Sequence, residues 1–539
     1  MDTRTLLGQA VYALQHGDHS TAAQLANQVL AVQPNEANSL QILGNINAQQ
    51  GQHQRALEYY EQGLKSNPNH VHLLNFAGLS AKHLNRLEIA KDYFSRAMDA
   101  DPRYFHAVYN LGNLYKSEYQ FRQAESCLRQ AIAIAPQFIA AKASLAGLLE
   151  QTHHETEAAV LCQQVLSADP NNYAARLTLA NIAMTNKHWT EVKSWLAPVL
   201  DSGQLSPVNY AVALGLVAQA EEKQSKYSQA FALFSRANQT LQQVYQQEYQ
   251  SAQSIYAPAQ VESLLAYLEK FEVRRKAVNT EPKAPHRRPV FLVGFPRSGT
   301  TLLDQVLSSH ADICVLEEKE NLAFLYAEYG WQHDRLDTLF NLSEQERQRL
   351  QQRYWQEIEQ QGVAADSKVV VDKLPLNLIM LAHIYCVFPD AQIIFAIREP
   401  RDSVISCFQQ RFQMNRAMYE MLSLEGAARY YDLVMRYAVL ALEKLPLEQL
   451  RVKYEDVVDD LEQASKAVAR FLGLEWQAEM LEYQNTAIGR AINTPSAKQV
   501  IQPLYKTSQQ KYKHYEHAII DSPAYAALSS WSCHWGYEA

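Results

Sequence analysis

Between residues 294 and 301 the chain reads GFPRSGTT, a run in which two glycines bound a short loop filled by hydroxyls and one arginine. The apolar stretch PVFLVG precedes it and reads as a buried strand, while TLLDQVLSSH follows with helical periodicity. A strand, a glycine-bounded loop and a helix start direct backbone N–H groups at one anion, which binds phosphate without a metal. The spacing Gly-x-x-x-x-Gly is that of a nucleoside-triphosphate loop, but Thr300 stands where the lysine should follow. That lysine reaches the β and γ phosphates, so its loss argues against ATP or GTP hydrolysis. Arg297 instead places charge beside a terminal, phosphate-like group.

A second apolar run, QIIFAIR, ends in REPRDSVISCF, with Arg398, Arg401, Ser403 and Ser406 opening a helix. At the carboxyl end of a parallel strand these side chains fall on the rim that carries the first loop, and they suit a second phosphate. Two carboxylates, Glu317 and Glu318, end the strand-like ICVLEE, and Lys373 ends VVDK before Pro375 and Asn377. Paired glutamates are ordinarily a solvated helix cap, and a lone lysine is ordinarily a surface charge. Their place after a phosphate loop favours a general base and a fixed positive charge. His310 and His383 are weaker candidates for the base. No cluster of His, Cys or Asp has metal-ligand spacing, and no metal is expected.

PRSGTT followed about a hundred residues later by IREPRDSVIS resembles the 5′-phosphosulfate loop and the 3′-phosphate motif of sulfotransferases. The likeness spans roughly residues 288 to 515 and is similar to tyrosylprotein sulfotransferases and to bacterial repeat-bearing sulfotransferases. It implies 3′-phosphoadenosine-5′-phosphosulfate (PAPS) as donor, with Ser298, Gly299, Thr300 and Thr301 on the 5′-phosphosulfate and Arg398 and Ser406 on the 3′-phosphate. It places Tyr454, in the Lys-Tyr-Glu-Asp run, near the cofactor. Gln502 stands where the tyrosylprotein enzymes carry lysine, so Lys506 or Lys511 supplies charge there. The resemblance makes Glu318 the general base and Lys373 the donor to the bridging oxygen, with Arg297 and Ser496 completing the transition-state donors. The acceptor it implies is a peptide or protein tyrosine. Glu320, however, replaces an arginine held to favour acidic flanks, so no acidic-peptide preference is implied.

The elements that must position these residues follow a repeat. Pro34, Pro68, Pro102, Pro136 and Pro170 are spaced by 34 residues. Small residues keep the period at Ala10, Gly44, Gly78, Gly112, Ala146 and Ala180, and again at Ala22, Ala56, Ala90, Ala124 and Ala158. Bulky positions lie between, at Tyr60, Phe94, Leu128, Cys162 and Leu196. Small residues let two antiparallel helices approach, bulky ones fill the groove, and proline ends the second helix. The pattern, with Leu43-Gly44 and Leu111-Gly112, resembles the tetratricopeptide repeat over residues 1 to about 202. A looser seventh copy at Ala218, Ala230, Phe234 and Ala237 is slipped by four residues. The expected organisation is an α solenoid over 1–240, a helical extension and linker over 241–287, and an α/β P-loop sulfotransferase domain with a central parallel sheet over 288–539. Such an array offers a concave surface for an acceptor peptide, a protein partner or a second copy of the chain.

Composition sets the remaining bounds. The chain of 539 residues is 47% hydrophobic and carries a formal net charge of −8, which argues against non-specific nucleic-acid or anionic-membrane binding. Six cysteines without a C-x-x-C pair suggest a reducing compartment. The N-terminus lacks the apolar run of a signal peptide, and no stretch approaches membrane-spanning length, so a cytoplasmic protein is expected. Beside the sulfotransferase reading stand a phosphate-loop kinase, a repeat scaffold with a weakly active nucleotide domain, and sulfation of a small-molecule or saccharide hydroxyl.

Overall fold

The computed structural model describes residues 2–251, 254–272, 288–363, 368–485, 509–516, 520 and 523–538. Two compact units divide after Gln204.

The first unit is six helical hairpins, from α1 (Thr3–Gln15) and α2 (His19–Val32) to α11 (Tyr173–Thr185) and α12 (Trp189–Asp201), with α3 to α10 between them. The repeat glycines Gly44, Gly78 and Gly112 lie against the bulky residue sixteen positions on, Tyr60, Phe94 and Leu128. A Cβ on Gly44 would sit 2.2 Å from the Tyr60 ring, and one on Gly78 would sit 2.5 Å from that of Phe94. The turn inside every hairpin takes a left-handed residue: Gly17, Gly51, Asn85, Tyr119, His153 and Lys187, with φ between 57° and 77°. These keep the 34-residue period although only two are glycine, because the hairpin geometry imposes the conformation on whatever residue falls there.

The second unit opens with a further hairpin, α13 (Pro207–Lys223) and α14 (Tyr227–Ser251), and then α15 (Pro258–Lys270). Its turn residue is Ser225, with φ 61°, which is the slipped register in structural form. The unit boundary falls earlier than the expected one at 240. Ala218, Ala230 and Phe234 of this hairpin pack with Phe408, and Asn238 donates to the Phe408 carbonyl at 2.8 Å. The hairpin has repeat geometry but is built into the α/β unit.

The sheet is five-stranded and parallel in the order β2-β3-β1-β4-β5: β1 Pro289–Gly294, β2 Ile313–Glu317, β3 Val369–Lys373, β4 Gln392–Ile397 and β5 Glu448–Lys453. Alternate residues feed two cores. Phe291, Val293, Ile393 and Phe395 face one helical layer, containing α15, α19 (Glu344–Gln360) and α23 (Leu424–Lys444). Val290, Leu292, Val371 and Ile394 face the other, containing α16 (Thr300–Ser308) and α25 (Leu461–Phe471). The helices α17 (Ala323–Tyr329), α18 (His333–Phe340), α20 (Leu381–Val387), α21 (Pro400–Gln409), α22 (Arg416–Glu420), α24 (Tyr454–Asp459) and α26 (Pro523–His534) complete the unit. The order turns outward on both sides of β1, so the carboxyl ends of β1, β3 and β4 border the crevice where such sheets bind ligands. Among the described residues, no helix is long and apolar enough to cross a membrane.

Candidate active site

The loop after β1 is shaped by two close approaches. A Cβ on Gly294 would lie 2.6 Å from the Ala396 carbonyl of β4, and one on Gly299 would lie 2.5 Å from Cδ2 of Tyr454. Arg297 and Gly299 both take positive φ, at 69° and 91°, folding the loop into a tight cradle that runs into the N-terminus of α16. Ser298, Thr300 and Thr301 are buried there. Four residues from three separate segments of the chain then converge. Arg297 Nε donates to Ser406 Oγ at 2.9 Å, and Arg398 Nη1 donates to the Arg297 carbonyl at 3.1 Å. The Arg398 guanidinium lies 4.8 Å from the centre of the Tyr454 ring.

Arg401 points elsewhere. It is buried, donating through Nε to Glu399 at 2.7 Å and through Nη2 to the Glu538 carbonyl at 2.8 Å, with the Tyr512 ring 4.0 Å away. It ties the C-terminal segment to α21. Asp402 is buried with an oxygen 3.9 Å from Arg398 Nη2, and it accepts the Tyr512 N–H at 2.8 Å. Burial pushes its carboxyl up to about 6, against the pull of Arg398.

On the neighbouring edge, Lys373 is wholly buried among three carboxylates. Its Nζ is 3.1 Å from Glu318 Oε1, 3.6 Å from Glu317 Oε1 and 3.6 Å from Asp304 Oδ2. Glu318 takes φ 48° and donates its N–H to the Lys373 carbonyl at 2.7 Å, which turns its side chain out of the strand line. The Glu318 side chain is 30% exposed, so it alone of the three combines contact with Lys373 and substantial access to solvent.

Lys511 is held by Glu222 of α13 at 2.8 Å and by Gln409 at 2.6 Å. Ser496 and Lys506 lie outside the described residues, as does Gln502. His383 is buried with Nε2 3.0 Å from the Gly330 carbonyl, and burial pushes its pKa down to about 4. His310 bonds the Glu475 carbonyl and the Asp312 N–H. Both histidines are committed to the backbone. Glu320 accepts from the Tyr256 hydroxyl at 3.1 Å. Among the described residues no group of three or more His, Cys, Asp or Glu could hold a metal ion.

Asp304, Glu222 and Gln409 were not singled out by sequence. Asp304 left a signal, since it interrupts the buried run TLLDQVL with a charge that is 0% exposed. Glu222 and Gln409 left none, because each acts through a partner more than a hundred residues away.

Residues 289–478 match the model described as the sulfotransferase family, and residues 7–71, 105–138 and 149–219 match tetratricopeptide-repeat models. An uncharacterized protein of Aquifex aeolicus is 24% identical over 340 residues, 60% of this chain and 42% of its own length. A putative protein-tyrosine sulfotransferase of Caenorhabditis briggsae is 24% identical over 36% of this chain and 68% of its own. Protein-tyrosine sulfotransferase 1 of Danio rerio is 25% identical over 41% of this chain and 65% of its own.

Proposed function

We propose that this chain, a tetratricopeptide-repeat array followed by a sulfotransferase-family domain, moves the sulfuryl group of PAPS to an acceptor hydroxyl, a peptide or protein tyrosine. The observation that carries the reading is the joint built by Arg297, Arg398 and Ser406, with bonds of 2.9 and 3.1 Å, beside a loop lacking the triphosphate lysine. It gathers cationic and hydroxyl donors for two separate phosphates, which a 3′,5′-bisphosphate nucleotide has.

In this reading Ser298, Gly299, Thr300 and Thr301 hold the 5′-phosphosulfate, Arg398 and Ser406 hold the 3′-phosphate, and Tyr454 packs beside the nucleotide. The acceptor oxygen attacks sulfur while the bond from sulfur to the 5′-phosphate oxygen breaks, leaving adenosine 3′,5′-bisphosphate. Glu318 takes the acceptor proton. Lys373 and Arg297, with Ser496, offset the charge that grows on the bridging and sulfuryl oxygens. The tyrosine acceptor is supported by the names of the relatives, and the repeat array supplies a surface on which a protein acceptor can dock.

Calorimetry with adenosine 3′,5′-bisphosphate in the absence of magnesium tests the donor. Tight binding is expected, and a preference for ATP with magnesium would overturn the reading. Incubation with labelled PAPS and a peptide pool, followed by mass spectrometry, tests the acceptor. Label on tyrosine is expected, and label only on saccharide or small-molecule hydroxyls would overturn that part.

A further inference from the structure

The half-buried network around Lys511 has a member that the proposed reaction does not use. Glu222, at the end of α13, receives Lys511 Nζ at 2.8 and 3.0 Å on its two oxygens. Gln409 clamps the pair from α21, accepting from Lys511 at 2.6 Å and donating to Glu222 at 2.9 Å. The Tyr515 hydroxyl also donates to Glu222. Gln409 lies one helical turn beyond Ser406, and the residue after Lys511 bonds Asp402, the carboxylate beside Arg398. The clamp therefore adjoins the joint assigned to the 3′-phosphate.

We propose that Glu222 is a positioning residue for the nucleotide, keeping the Lys511 ammonium charged and fixed next to the Arg398 joint assigned to the 3′-phosphate; this rests on the PAPS reading above. The physical need is plain. A half-buried ammonium loses part of its hydration, and Arg398 and Lys223 repel it, so partial burial and neighbours both push its proton off while Glu222 opposes them. Without the carboxylate, Lys511 would release its proton or swing to solvent, and in either case its charge would leave the phosphate. Gln409 and Tyr515 fix the carboxylate in turn, so the lysine is held in place before the ligand arrives. The hairpin with repeat geometry would thus supply part of the nucleotide site.

The test uses the full chain and two ligands, adenosine 3′,5′-bisphosphate and adenosine 5′-monophosphate, which differ only in the 3′-phosphate. Glu222→Gln is expected to weaken the bisphosphate by about tenfold or more, the loss of one charge-assisted contact, and to leave the monophosphate within about twofold. Lys511→Gln should do the same, and the double variant should bind no more weakly than Lys511→Gln alone. Glu222→Asp, which keeps the charge but shortens the reach, should fall between wild type and Glu222→Gln, and it carries the comparison if Glu222→Gln does not fold. Equal weakening of both ligands, an unchanged bisphosphate affinity, or additive losses in the double variant would each overturn the proposal. A folded wild-type chain that fails to bind the bisphosphate would overturn the parent reading, and this one with it, before any variant is compared.

Discussion

Lys373 and Glu318 hold each other twice, side chain to side chain at 3.1 Å and Glu318 N–H to Lys373 carbonyl at 2.7 Å. The backbone bond fixes the chain after β2 against the end of β3, and the ion pair sets the carboxylate in the crevice. Glu318→Ala should lower turnover by about 10²- to 10⁴-fold, the usual contribution of a general base, while the dissociation constant for adenosine 3′,5′-bisphosphate stays within about twofold. Steady-state rates beside calorimetry decide it; equal loss of binding would remove Glu318 from that role.

Lys373→Met should be harsher than its single charge suggests. It strands Asp304, 0% exposed, and Glu317 without their cation, and breaking a buried pair of this kind costs about 3–5 kcal/mol. Denaturant unfolding should show that loss. The double variant Lys373→Met with Asp304→Asn should recover part of it, because the stranded charge is gone.

Arg398→Ala removes the guanidinium that bonds the phosphate loop and stacks on Tyr454. The dissociation constant of the bisphosphate should rise by about 10- to 100-fold, the range for a charge-assisted contact, and that of adenosine 5′-monophosphate should rise much less. Equal changes would place Arg398 outside the 3′-phosphate site.

Gly299→Ala combines a φ of 91° with a methyl 2.5 Å from the Tyr454 ring. Strain of about 1–3 kcal/mol is expected, seen as a lower melting temperature. Displacement of Tyr454 should also weaken nucleotide binding.

His383 and Asp372 titrate with opposite signs. Neutral His383, near 4 when folded against 6.5 unfolded, adds stability that is complete above about 6.5 and lost as pH falls towards 4. Asp372, pushed up to about 7 by burial, adds stability complete below about 3.8 and lost as pH rises through 7. Wild type minus His383→Gln should therefore shrink by up to about 3 kcal/mol from pH 6.5 to 4, and wild type minus Asp372→Asn should shrink in the opposite direction. Unfolding midpoints of the three proteins across that range would show it.

The 34-residue period was complete in the sequence because hairpin packing is local. Glycines of the repeat meet bulky partners sixteen residues on, as Gly44 meets Tyr60 and Gly78 meets Phe94. The phosphate loop was equally legible, since strand, glycines and helix start are contiguous. Even the slip of four residues before the seventh hairpin could be read, and Ser225 occupies the corresponding turn. What sequence could not assign was the partner of each charge. Arg398 and Arg401 are three residues apart and look alike in REPRDS, yet one meets Arg297 and Tyr454 while the other is consumed by Glu399 and the C-terminal segment. The sequence offers Lys511 as charge for a nucleotide with no hint of Glu222, which lies 289 residues earlier. Periodicity records contacts within a few turns of chain. The neighbours that decide what a buried charge does are chosen only when distant segments close on one another.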